Sequence, residues 1–410
     1  MITRQGVNKK ILFFLSFLVL IYPLLPVAHF FLPLVTLFGK NIYIVFPVIV
    51  ISISFFFLLI TRQLPSRGVF LFFILFFIYL FVTLIAIIVY DYGHQEFLYR
   101  RFLLVPLLML LTTVPLLSTE DNRKHITKLI LMTIFLQCIL GLIHYIFFPE
   151  IWFINDETFS GFIDISQSLG FVASTREGGT LISSSCFAYL LLCGILLLVY
   201  LQELPWKYTG MRQRSAALIF FLFGIMLSGS RGPTILALLF ILVFFLREWN
   251  IVKKPILFLL IVLIIVVSFK DAFIHIVERF EINGSGGRYE KLQIAALLLS
   301  QDLYFFIGAP ADVVSTTFIN GVSLSDNSFA LLFITYGCLS IVFFLSLFYF
   351  FWRFSKVTRT YLPALSGFIC MCTTNSILWE PWLYYYVMTM VLIWFARKEQ
   401  LRGISRGALF

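Results

Sequence analysis

Long apolar runs separated by short polar breaks cover most of the chain. Reading run against break predicts twelve helices, at residues 11–38, 42–60, 68–90, 101–118, 126–148, 180–201, 215–229, 232–246, 255–270, 327–352, 360–378 and 382–396. A helix needs about 20 apolar residues to cross a bilayer core, and several runs approach or exceed that length. The alternating segments of roughly ten residues that build a transmembrane barrel do not occur. The pattern predicts an all-α polytopic membrane protein, with residues 1–410 forming a single membrane domain. The two halves do not resemble each other.

Two breaks are longer than ordinary connectors, at 149–179 and 271–326, and long loops in compact proteins commonly carry function. In the second, Leu292, Ala295, Ala296 and Leu299 fall at helical spacing between Tyr289 and Leu303. This predicts a short amphipathic helix on the membrane surface. Gly284, Gly286 and Gly287 just before it allow a sharp turn. A different irregularity lies in "MLSGSRGPTILALL". The apolar run before it, Ser215 to Leu227, has 13 residues, and the run after it, Pro233 to Leu246, has 14. Runs that short draw the turn of Ser230, Arg231 and Gly232 below the headgroups.

Charge assigns the sides. With the N-terminus in the cytoplasm, the inner loops and Lys128 hold 21 of the 30 lysines and arginines but only 5 of the 20 acidic residues. That asymmetry is the positive-inside pattern and places both termini in the cytoplasm. The basic N-terminus followed by a long apolar run reads as a retained first helix. At 61% hydrophobic and 12% charged, the chain is too apolar for a soluble domain. The net charge of +10 sits in short loops, which argues against nucleic acid as a partner. The six cysteines fall in apolar runs and read as buried thiols. The five histidines lack metal-ligand spacing, and no Asp-x-Asp stands in an outer loop. No metal or other cofactor is expected. No nucleotide-binding glycine loop or serine elbow is recognisable.

Three outer arginines stand apart, each beside glycine. Arg176 lies in "STREGGTLISSS", Arg231 in the sunken turn, and Arg288 at the start of the amphipathic loop helix. A guanidinium carries a fork of donors matched to phosphate oxygens. Holding one near lipid is costly unless an anion accompanies it. The hydroxyl of Ser230 and the amides at a helix start add to such a site. A lipid phosphate or pyrophosphate is the natural ligand, whereas each arginine taken singly would snorkel to ordinary headgroups. In "SLSDNSFALLFITYG", Asp326 and Asn327 enter the tenth helix. Either serves as an N-cap, and Asp326 could also accept a proton from an attacking hydroxyl. Arg100 and Arg101 read as interfacial anchors, with membership of a phosphate site as the alternative.

These motifs, in this order and on this side, resemble the superfamily of O-antigen polymerases and O-antigen ligases, the Wzy-type membrane glycosyltransferases of bacterial envelopes. The resemblance rests on Arg176 with its glycines, "SGSRG" opening a helix, "GGR" opening the loop helix, and "DNSFALLFITYG". It covers about 170–350 by motif and the rest by topology. It implies a GT-C-like enzyme with about twelve spans in the bacterial inner membrane. Such an enzyme transfers a glycan from undecaprenyl pyrophosphate at the periplasmic face, without metal and with inversion. By that resemblance Arg176, Arg231 and Arg288 bind the pyrophosphate, helped by Ser230 and Asn327, and Asp326 is the base. The partners implied are the lipid-linked glycan and membrane lipids, with a chain-length regulator protein as a further candidate. O-antigen ligases carry a histidine where this chain has Asp326, which favours a polymerase of O-antigen or a related surface polysaccharide. A ligase acting on lipid A core or protein is the nearer alternative, and a twelve-span transporter the more distant one. The chain also has Leu292 and Gln293 where the family often has tryptophan, and Gly308-Ala309 where a G-x-G usually closes the loop.

Overall fold

The computed structural model describes residues 67–90, 93–147, 184–201, 210–248, 302–310, 328–358, 360–373 and 382–407, with a few further positions. Among the described residues the architecture is helical, apart from two-residue antiparallel ladders pairing Thr36–Leu37 with Lys40–Asn41 and Phe318–Ile319 with Val322–Ser323. The helices are α1 (Arg67–Tyr90), α2 (Gly93–Thr113), α3 (Glu120–Phe147), α4 (Ser184–Tyr200), α5 (Met211–Leu227) and α6 (Arg231–Glu248). They continue with α7 (Asp302–Ile307), α8 (Ser328–Tyr336), α9 (Ser340–Thr358), α10 (Leu362–Thr373) and α11 (Trp382–Gly407). Three stretches among them are long and apolar enough to cross a membrane: Phe73–Tyr90, Glu120–Ile143 and Phe329–Thr358. The expected helices at 11–38, 42–60 and 255–270, the loop at 149–179, and most of the Tyr289–Leu303 helix lie outside the described residues.

Three helices leave apolar stripes uncovered. Phe77, Phe81, Leu84 and Ile88 form one on α1; Met132, Leu136, Ile139 and Ile143 form one on α3; Ile341, Leu345, Phe348 and Trp352 form one on α9. The three- and four-residue spacing puts each set on a single face. In water such faces would be large exposed patches, whereas lipid tails solvate them without penalty.

The helices fall into two compact units. The first contains α1, α2, the start of α3, and α7 to α11. Its core includes Tyr79, Leu103, Leu107, Met109, Tyr336, Phe343 and the run Tyr384, Tyr385 and Tyr386. Two pairs of buried hydroxyls bond each other there: Thr113 with Tyr384 at 3.1 Å, and Ser366 with Tyr386 at 2.7 Å. The second contains α3 from Thr127 onward and α4 to α6. Helix α4 is its axis, buried on every side from Phe187 to Leu198, as expected of a helix apolar all round. Gly194 and Gly224 permit the close approach. A Cβ on Gly194 would sit 2.7 Å from the Phe221 ring, and one on Gly224 would sit 2.7 Å from Leu191.

Helix limits depart from the apolar runs, most of all in three places. Helix α2 begins at Gly93 instead of 101, and α11 continues to Gly407 instead of 396. Apolar content marks the hydrocarbon depth, while helical hydrogen bonding extends into polar flanks such as "GHQEFLYRR" and "RKEQLRG". The segment expected as one helix at 327–352 is two, α8 and α9. They are separated by a 3-10 turn at Gly337–Leu339, where Gly337 has φ +57°.

Candidate functional site

The short connection between α5 and α6 comprises Ser228, Gly229 and Ser230. Helix α5 has 17 residues, so its ends stand about 25 Å apart, less than a bilayer core of about 30 Å. Gly229 takes φ +60°, the left-handed conformation that commonly ends a helix. The Ser228 hydroxyl donates to the Ile225 carbonyl at 2.6 Å and accepts the Ser230 amide at 3.2 Å. The Ser230 carbonyl then accepts both the amide of Thr234, at 3.2 Å, and its hydroxyl, at 2.7 Å. Ser230 is therefore the N-cap residue of α6, with Arg231 and Gly232 in the first turn. Its side chain does not serve as a cap. The Ser230 hydroxyl is buried, the residue being 4% exposed, and it has no hydrogen-bond partner among the described residues. Amides in the first turn of a helix lack intrahelical acceptors, and the helix dipole there favours negative charge. Taken together, these groups are suited to an anion.

A second polar centre lies in the other unit, around Arg100. This residue is fully buried in α2, at 0% exposed, and is not the interfacial anchor its position predicts. Its Nη1 donates to the carbonyls of Ile307, at 2.9 Å, and Thr335; Nη2 donates to that of Ala309 at 3.2 Å. The guanidinium lies over the Tyr336 ring, 5.5 Å from its centroid, and the Tyr336 hydroxyl donates to the Arg100 carbonyl at 2.6 Å.

The break between α8 and α9 makes these acceptors available. A helix that stops leaves its last carbonyls without the amides a continuing helix would supply. Here Ile334 accepts the Ala309 amide at 2.7 Å, Thr335 accepts Arg100, and Leu339 accepts the Tyr79 hydroxyl at 2.9 Å. The backbones cross almost in contact. A Cβ on Gly308 would lie 2.1 Å from the Thr335 carbonyl oxygen, and one on Gly337 would lie 2.2 Å from that of Phe305. Gly308 has φ +83°, so both crossing points require glycine twice over.

Of the residues singled out by sequence, Ser230 and the backbone of Arg231 fall in the described turn. Arg176, Arg288, Asp326 and Asn327 lie outside the described residues, as do the side chains of Arg231 and Arg101. Sequence reasoning missed the role of Arg100. No local signal marked it, because its acceptors are backbone carbonyls far along the chain.

The class that fold and site define is a helical membrane protein with a buried, anion-suited turn at a helix start. No family model matches the chain, and no curated protein matches it.

Proposed function

We propose that this protein is a polysaccharide polymerase of the bacterial inner membrane. In this reading it has about twelve spans in a GT-C-like arrangement, with both termini in the cytoplasm. It moves a growing glycan from undecaprenyl pyrophosphate onto the terminal sugar of an incoming lipid-linked repeat unit. The observation that carries the reading is the turn opening α6. It combines a buried Ser230 hydroxyl, unbonded among the described residues, with the start of a helix on which Arg231 stands in the first turn. The order of the arginine motifs and the charge asymmetry of the loops support the same conclusion.

In the reaction, the acceptor hydroxyl attacks C1 of the donor sugar from the face opposite the phosphate. The new glycosidic bond forms as the bond from C1 to the phosphate oxygen breaks, and undecaprenyl pyrophosphate leaves with the electron pair. Asp326 takes the hydroxyl proton. Arg176, Arg231 and Arg288 stabilise the charge that develops on the departing diphosphate, with Ser230 and Asn327 as further donors. Preorganised donors of this kind are commonly the largest single contribution to catalysis.

The acceptor distinguishes polymerase from ligase. Deleting the gene in a strain with an intact ligase is expected to leave single repeat units on the lipid A core, read on a lipopolysaccharide gel. Full-length polymer accumulating unattached would instead identify a ligase and reject the proposal.

A further inference from the structure

We propose that the exposed face of α9 is a seat for one anionic phospholipid. Arg353 and Lys356 hold the headgroup phosphate, and the apolar stripe that leads to them holds the tails. The seat does not depend on the glycosyl-transfer reading.

Four side chains make one cluster toward the end of α9. The Lys356 ammonium lies 3.8 Å from the centre of the Trp352 ring, and the Arg353 guanidinium lies 5.9 Å from that of Tyr349. The two rings are themselves 6.2 Å apart. Their spacing along the helix puts all four on a single face. Further back on that face come Phe348, Leu345 and Ile341, all exposed, while the opposite face of α9 is buried. The helix rises about 16 Å from Leu345 to Lys356, which matches one leaflet of a bilayer core of about 30 Å.

The ligand follows from what this face carries and lacks. Helix α9 contains no acidic residue, and no carboxylate among the described residues pairs with Arg353 or Lys356. Each cation is backed by an aromatic ring, which holds the charge in place without neutralising it. Tyrosine and tryptophan at the polar end of an apolar stripe mark the depth of the headgroups. A guanidinium fork and an ammonium one turn apart fit the oxygens of one phosphate. A zwitterionic lipid would bring an ammonium of its own to the same place. An anionic headgroup brings none, so it is favoured.

The test is lipid photocrosslinking on full-length protein, in nanodiscs holding equal amounts of phosphatidylglycerol and phosphatidylcholine with identical acyl chains. The exposed Phe348 is replaced by its photoreactive analogue p-benzoyl-phenylalanine, and mass spectrometry counts each lipid attached. With both cations present, phosphatidylglycerol should exceed phosphatidylcholine by about fivefold or more, since each cation near an anionic surface contributes about that factor. Arg353→Gln with Lys356→Gln should bring the ratio close to one, whereas Arg353→Lys with Lys356→Arg should keep most of the enrichment. Lys124→Gln with Lys128→Gln removes the same charge from exposed positions on α3 and should leave the ratio unchanged. The substituted positions are all exposed, and the melting temperature of each variant verifies its fold.

Equal attachment of the two lipids with both cations present would overturn the proposal, as would an enrichment that survives their loss. An enrichment lost to the same extent in the α3 variant would mean that overall charge gathers the lipid and that no seat exists. Crosslinking to a second copy of the chain in place of lipid would show this face to be covered by protein. If replacing chloride by inorganic phosphate at equal ionic strength abolishes the enrichment, the cations take free phosphate, and the lipid seat is rejected.

Discussion

Ser228 and Ser230 stand two residues apart and do opposite things. Ser228 uses its hydroxyl twice within the turn, as donor to Ile225 and acceptor from Ser230. Ser230 is equally buried and its hydroxyl bonds nothing among the described residues, although an N-cap serine ordinarily spends it on an amide of the first turn. A buried unbonded hydroxyl costs roughly 1–3 kcal/mol, so a ligand that accepts its hydrogen bond recovers that cost. Asp326 permits a cleaner separation of structure from chemistry. Asparagine caps a helix as well as aspartate does but cannot take up a proton. Asp326→Asn is therefore expected to leave protein amount and melting unchanged while lowering polymer formation by about 100-fold, the usual range for a general base. Full activity in that variant would reduce Asp326 to a cap. The turn was legible in the sequence because all its parts are adjacent: two short apolar runs, a glycine and two serines. Arg100 was not, because its acceptors lie 207, 209 and 235 residues away and consist only of backbone carbonyls, which any sequence would provide.

At the scale of elements, the break between α8 and α9 organises the first unit. The apolar pattern of 327–352 runs straight through it and so predicts one helix; only tertiary contacts with α7 and α2 explain why it divides. Gly308 and Gly337 mark where the two backbones cross. Replacing either with alanine would place a Cβ within 2.2 Å of a carbonyl oxygen. The left-handed conformation alone costs alanine about 1–2 kcal/mol, and the clash adds to that. Gly308→Ala and Gly337→Ala should each lower the melting temperature of the detergent-solubilised protein and undock α7. Gly210 has nothing within 4 Å of its would-be Cβ, and Gly210→Ala is expected to change stability by less than about 1 kcal/mol. Equal melting of all three variants would mean that the crossing contributes nothing. The limits of α2 and α11 illustrate a related point. Hydropathy located their apolar centres, but the polar turns beyond them continue the same hydrogen-bond ladder.

For the whole molecule, the apolar stripes on α1, α3 and α9 and the three membrane-length stretches agree with the composition in requiring a bilayer. The twelve-helix count came from runs of which 11–38, 42–60 and 255–270 lie outside the described residues; among the rest, 327–352 is two helices, 360–378 is described only to 373, and the others correspond to described helices with shifted ends. The proposed chemistry depends on a diphosphate leaving into the grip of arginines at one membrane face. The most direct measurement is release of undecaprenyl pyrophosphate by the purified protein in lipid nanodiscs, supplied with the lipid-linked repeat unit as both donor and acceptor. The account predicts one equivalent released per glycosidic bond formed, with release abolished by Arg231→Ala and poorly restored by Arg231→Lys, which lacks the guanidinium fork. Release that continues at the native rate in Arg231→Ala, or glycan growth without any release, would contradict it.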